Sequence, residues 1–175
     1  QDDRHITYDV GLLPAAVLGL DQIEDGPLGP GPGEVERDMQ QEAVERARLI
    51  SVGSYTVDLD LTVSDTEFGS RTVVRFDCAE PGASTFVDLK AASIASIRLN
   101  GNEIHPSKVA DGRLTLGRLQ ATNELEVVAT MAFTHDGQGL HRAVDPADDL
   151  AYVYGMSFLD AAPQIYACFD QPDLK

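Results

Sequence analysis

Tryptophan is absent from the 175-residue sequence, and cysteine occurs only twice, as Cys78 and Cys168. Each lies in an apolar stretch with no C-x-x-C partner, which argues against a zinc knuckle or a disulfide framework; both read as buried free thiols. Positive charge is also scarce: 13 Lys and Arg stand against 29 Asp and Glu, a formal net charge of −16. Nucleic acid and anionic membrane both call for a clustered basic surface, so neither is expected as a partner. No run of 18 apolar residues occurs, and the start at Gln1 lacks a basic-then-apolar signal pattern. Membrane insertion is therefore not expected, and the cytoplasm is the default location. A Gly-rich phosphate loop, a nucleophile elbow and an interleaved basic-aromatic surface are missing as well.

What is present suffices for one domain. Apolar residues make up 43% and charged residues 24%, near the globular average, and a chain of this length can close a single core without staples. Two parts differ in texture. Residues 1–33 form an arm: a mildly apolar stretch is followed by the run Gly26-Pro27-Leu28-Gly29-Pro30-Gly31-Pro32-Gly33, which has linker composition. Within it Leu12, Leu13, Ala16, Val17 and Leu20 have the spacing of two amphipathic turns after Pro14. Such a tail can pack on its own domain, dock on another chain or stay disordered.

Residues 34–175 read as the domain itself. The spacing of Val35, Met39, Ala43, Ala47 and Ile50 predicts a helix over 34–50 with one apolar stripe, and Glu42 and Glu45 precede Arg46 and Arg48 at pairing distance. Over 54–63 the alternation is strict, with Tyr55, Val57, Leu59, Leu61 and Val63 on one face and Ser54, Thr56, Asp58, Asp60 and Thr62 on the other, which predicts a half-buried strand. On that outer face Asp58 and Asp60 read as solvated. Further strands are expected at 71–78, 84–89, 94–99, 113–116 and 124–133, paired as an antiparallel meander. Asn100-Gly101 and Asp111-Gly112 supply hairpin turn chemistry, and Glu80-Pro81-Gly82 another turn. The fold class is thus mainly β, an antiparallel sandwich or open saddle with one N-terminal helix. After His135 the periodicity fades into loops that rim a surface.

Four segments, QQEAVERARLISVGSYTVDLDLTV, TVVRFDCAEPGASTFVDLKA, THDGQGLHRAVDPADDLAYVYG and YACFDQPDLK, together resemble the opening domain of bacterial aminopeptidase N-like zinc metallopeptidases, over roughly residues 34–175. The resemblance implies a non-catalytic β-domain that sits against a thermolysin-like catalytic domain, or another protein chain, and helps wall the pocket for the substrate's N-terminus. In that family zinc is held elsewhere, by an H-E-x-x-H helix and a downstream glutamate. His5, His105, His135 and His141 offer no such spacing, so no cofactor is expected in this chain. Family members carry T-Q-x-E after a Tyr-rich strand; here that stretch, next to Tyr154, reads Gly155-Met156-Ser157-Phe158, so the amine-receiving polar pair has become Met156 and Phe158. Basic residues of the family are replaced nearby by Pro163 and Gln164. The family's domain also continues beyond the PDLK segment, so an open sheet edge is expected to be filled by further chain, by another polypeptide or by the apolar segment near Leu12 to Leu20.

An alternative reading is a stand-alone, non-peptidase relative whose Met156/Phe158 wall binds or acts on a small apolar molecule or docks a partner protein. The best intrinsic catalytic cluster is weak: His135 beside Asp136 for general base work, with His141 and Arg142 near Asp145, all in one loop-rich stretch. The resemblance implies turn and packing roles for the GLHR and VDP stretches, and these account better for His141, Arg142 and Asp145.

Overall fold

The computed structural model describes residues 5–8, 32–156 and 161–174, with side chains over 39–155 and 161–174. Chain order runs β1 (His5–Tyr8), α1 (Pro32–Leu49), β2 (Ile50–Asp60), β3 (Glu67–Cys78), β4 (Thr85–Asp88), β5 (Ser93–Leu99), β6 (Asn102–Glu103), β7 (Val109–Ala110), β8 (Arg113–Leu116), β9 (Thr122–Ala132), β10 (Gly139–Val144) and β11 (Ala151–Met156). The described strands make three antiparallel sheets: six strands in the order β1-β2-β3-β9-β5-β6, three in the order β4-β8-β7, and the β10-β11 hairpin. The mainly antiparallel β class with one helix is what the alternation implies.

Sequential meander pairing does not hold. β9 inserts between β3 and β5, because its Leu125, Val127, Ala129 and Met131 and the Val74, Phe76 and Phe68 of β3 are apolar on the same face and bury together. From the other side the three-stranded sheet brings Val87, Leu114 and Leu116 to this core, and the segment 165–174 adds Ile165, Ala167, Phe169 and Leu174. Phe76 meets Phe169 edge-on with centroids 5.1 Å apart. Tyr55 reaches the same segment, its hydroxyl accepting from Phe169 N at 2.9 Å, and burial holds its phenol well above the ordinary range. Burial also pushes Tyr166 up to about 12.

Turn chemistry behaves as read. Asn100 and Gly101 have φ of 53° and 78° between β5 and β6, and Asp111 and Gly112 have 51° and 75° between β7 and β8, the left-handed pairs that tight hairpins need. The strand expected over 54–63 instead spans Ile50–Asp60. Asp60 stops it, accepting from the backbone N and the hydroxyl of Thr62 at 2.9 and 2.6 Å. At Gly53 a bulge shifts the register, so that Val52 pairs with Phe76 but Ser54 with Arg75. Ile50 and Val52 thereby share the core face with Tyr55, Val57 and Leu59.

The apolar stripe expected on α1 is buried only in part: Met39 and Ala47 are exposed and Ala43 is half-buried, while Ile50 is buried as the first residue of β2. A cation anchors the helix instead. Arg46 is buried, its guanidinium 3.8 Å from the Phe86 ring centroid and 3.9 Å from Asp88, donating to Phe86 O at 3.3 Å. Arg113 lies 4.0 Å from the same ring centroid and pairs with Glu42 at 3.2 Å. Gln171 ties the segment after β11 to the helix, donating to Ala43 O at 2.7 Å.

Asp58 and Asp60 are also bonded, not merely solvated. On the outer face of the six-stranded sheet Arg71 joins Asp58 (3.0 Å) to Glu126 (2.6 Å), Arg98 joins Glu126 (3.6 Å) to Glu103 (3.9 Å), and Arg75 meets Glu124 at 2.8 Å. Cys78 and Cys168 are buried and unlinked, as read, and burial raises the Cys168 thiol.

The apolar turns expected around Leu12 to Leu20 lie outside the described residues. Of the arm, His5–Tyr8 is strand, paired antiparallel along Val57 to Asp60 of β2.

Candidate functional site

The stretch read as loops after His135 folds into the β10-β11 hairpin. Its sequence does not alternate by polarity because its two faces have different jobs. Leu140, Arg142 and Val153 share one face; Leu140 and Val153 pack against the core, and the Arg142 guanidinium closes on Asp65, in the β2–β3 connection, at 2.7 Å. His141, Ala143, Tyr152 and Tyr154 share the other face, with His141 opposite Tyr154 and Ala143 opposite Tyr152. At the base, Thr134 N and Oγ1 donate to Leu140 O at 2.8 and 3.2 Å, and Oγ1 also to Gln138 O. Gly139 is required there: its φ is 75°, and a Cβ would stand 3.4 Å from both Gln164 Oε1 and Thr134 Oγ1.

The connection 145–150 is built by aspartates. Asp145 Oδ1 accepts from Ala147 N at 2.8 Å, and Asp148 Oδ1 from Leu150 N at 2.9 Å. Asp149 takes a left-handed φ of 57°. Asp148 Oδ2 accepts from the Tyr152 hydroxyl at 2.7 Å. The Leu150 N–H and then the Tyr152 hydroxyl hold the Asp148 carboxyl below its usual range, and the same bond raises the Tyr152 phenol. Tyr154 stacks on His141 with centroids 5.0 Å apart and planes 9° apart. His141 is buried, and its Nε2 has no hydrogen-bond partner among the described residues.

The four weak catalytic candidates are not assembled into a working group. His135 is exposed; Asp136 caps its own turn, accepting from Gln138 N at 3.1 Å; His141 packs under Tyr154, and Arg142 serves Asp65. Of the substrate-wall candidates, Tyr154 is exposed beside Gly155 on β11, where a Cβ on Gly155 would stand 3.2 Å from Leu140 Cδ2. Met156 closes the strand opposite Gly139, while its side chain and all of Ser157 and Phe158 lie outside the described residues. Tyr152, Asp148 and Asp65 were not singled out from sequence. The repeat Tyr152-Val153-Tyr154 was the available signal for the first; nothing local could announce Asp65, whose partner is remote along the chain.

Among the described residues no three His, Cys, Asp or Glu side chains converge as a metal site, so these residues do not fit a zinc ion. No described helix is long and apolar enough to cross a membrane.

The described residues thus form an antiparallel β-body that carries an aromatic hairpin on one side. The chain is 45% identical over 140 residues to aminopeptidase N of Streptomyces lividans and belongs with the aminopeptidase N-like proteins. That match takes in 78% of this chain but 16% of the relative, so the chain spans about a sixth of the relative's length. No family model matches. Among solved structures the fold is similar to native leukotriene A4 hydrolase from Saccharomyces cerevisiae (TM-score 0.57, 12% identity, 73% of this chain and 22% of that one). It is also similar to an M1 zinc metallopeptidase from Deinococcus radiodurans (0.51, 18%, 71% and 30%) and to Legionella pneumophila aminopeptidase A (0.51, 11%, 71% and 14%). At these identities the likeness speaks for the fold.

Proposed function

We propose that this chain is the non-catalytic N-terminal domain of an aminopeptidase N-like zinc metallopeptidase, whose β10-β11 hairpin helps wall the site where a substrate's N-terminus is received. The observation that carries the reading is the extent of the likeness to aminopeptidase N: most of this chain corresponds to a small part of a much longer protein. In this reading zinc and the hydrolytic water belong to a separate catalytic unit, and no cofactor is held by the 175 residues. Replacement of the family's polar pair by Met156 and Phe158 supports a receiving wall altered from ammonium binding toward an apolar group. Two buried free thiols suit a reducing compartment, and we place the protein in the cytoplasm.

The test is to purify the 175-residue chain, measure bound zinc by elemental analysis, and assay a panel of aminoacyl anilides. The expected result is sub-stoichiometric zinc and no turnover. Aminopeptidase activity is then expected only in a polypeptide or complex that adds an H-E-x-x-H helix. One zinc per chain with amide cleavage by the chain alone would overturn the proposal.

A further inference from the structure

Helix α1 carries apolar residues that the β-body leaves in solvent. Met39 is 62% and Val44 50% exposed, Ala47 is exposed and Ala43 is half-buried. At 3.6 residues per turn these four fall within about 140° of arc, beside the face that carries Arg46 to Phe86 and Leu49 to the core. A single apolar residue on a surface needs no explanation. A stripe along a helix is the mark of a face that packs against something.

The path of the chain indicates what lies along this stripe. β1 runs antiparallel to β2, with His5 opposite Asp60 and Tyr8 opposite Val57, so it heads toward Ile50, which follows α1 directly. The chain therefore leaves β1 moving toward the C-terminal end of α1, about 23 Å from it along β2. It enters α1 at Pro32, the opposite end of an 18-residue helix about 27 Å long. Residues 9–31 have to span that length. Within them Leu13, Ala16, Val17 and Leu20 recur at spacings of three and one, the pattern of an apolar helical face, and the Gly/Pro run that follows has the composition for a reversal into α1. The tether holds this segment near the stripe at an effective concentration on the order of millimolar, which a second copy or another protein has to match from solution.

We propose that the Met39/Val44/Ala47 stripe of α1 is the seat of segment 12–20 of the same chain. The arm is then a strap with two fastenings. β1 covers the edge of β2 over 57–60, where unpaired N–H and C=O groups would otherwise invite a foreign strand; the apolar segment holds α1 from outside while Arg46 holds it from within. The fastenings support each other, because release of the segment from α1 lengthens the free loop behind β1 and weakens its pairing through loop entropy. The strap is independent of the domain assignment, since the arm precedes the stretch 34–175 that carries the resemblance.

The test places the photo-crosslinker p-benzoylphenylalanine at Gln40, an exposed position within the stripe, in the natural polypeptide that contains this sequence, prepared as a mixture of isotopically light and heavy chains. Peptides from 12–20 are expected as the main crosslinked product, light joined to light and heavy to heavy. Leu13→Asp combined with Val17→Asp should cut that yield about tenfold, because a carboxylate resists burial against the stripe. The same variant should speed hydrogen exchange over 43–49 about threefold or more, while unchanged exchange over 67–78 reports an intact fold. Val44→Asp, at an exposed helix position, should lower the yield from the helix side. Absence of crosslinks to 12–20, or a yield unchanged in both variants, would overturn the strap. Products that join light to heavy chains would overturn it in favour of exchange between copies, and crosslinks to another protein in favour of an external partner.

Discussion

On the outer face of the six-stranded sheet Arg71, Arg75 and Arg98 each pair with a carboxylate, Arg71 lying between Asp58 and Glu126; in the connection of the β10-β11 hairpin Asp145, Asp148 and Asp149 form no ion pair among the described residues. The two surfaces also differ in their apolar content. The sheet's exposed face is an ion-pair lattice across β2, β3, β9, β5 and β6, whereas the hairpin presents Val144, Leu150, Tyr152 and Tyr154 to solvent. A face that neutralises itself is finished by folding. The hairpin instead keeps like charge in its connection and leaves aromatic and aliphatic side chains in solvent, so less of its surface is satisfied by folding.

Substitutions should divide along the same line. The largest effect is expected in the core: Leu125→Ala, at a position with no solvent exposure, should cost about 2–5 kcal/mol in urea unfolding, while Tyr154→Ser on the hairpin should cost less than about 1 kcal/mol. Equal costs would erase the distinction. Next comes the helix anchor. Arg46→Leu loses the Phe86 stack and leaves Asp88 with less compensation, at about 2–3 kcal/mol; Arg46→Lys should rescue little because an ammonium cannot spread over the ring. Hydrogen exchange in α1 and over 169–174 is the readout. Smaller again is the lattice: Arg71→Ala should cost about 0.5–1 kcal/mol, shrinking in 1 M NaCl as screening weakens the parent pairs.

The smallest expected effect is the most local, and it concerns pH. Asp148 has a lowered carboxyl pKa, so its contribution is present above the unfolded value near 3.8 and is lost as pH falls through the lower folded value. Tyr152 has a raised phenol pKa, so its contribution is present below the unfolded value of 10.0 and is lost as pH rises through the higher folded value. The bond that fixes the Tyr152 ring should therefore persist from below pH 3.8 to above pH 10. Tyrosine ring NMR shifts in wild type and Asp148→Asn would check this, and a midpoint near neutrality would contradict it.

How much could be read in advance depended on the reach of each interaction. Alternation through Tyr55, Val57 and Leu59 announced β2 because one of its faces is buried, and Asn100-Gly101 and Asp111-Gly112 announced their turns because backbone sign is a local property. Insertion of β9 between β3 and β5 is not local; it depends on which apolar faces meet. Helix α1 was placed correctly but its stripe was not, because Arg46, a residue that periodicity counts as polar, does the anchoring through Phe86. The hairpin is not legible for a related reason: exposed tyrosines and a buried histidine share one face and hide the alternation. Of the candidate site, the Tyr-rich strand was legible through its resemblance, and the aspartate turn and the Asp65 latch were not.

The bulge at Gly53 has a further consequence for how helix and sheet are phased. Ile50 follows α1 without a spacer, so the facing of the first strand residues fixes the rotational setting of the helix above them. One extra residue lets the strand reverse parity partway along. Deleting Gly53 would turn Ile50 and Val52 toward solvent, or else swing the helix half a revolution and lift Arg46 from Phe86, so a single backbone insertion acts as the gear tooth that keeps the two elements meshed.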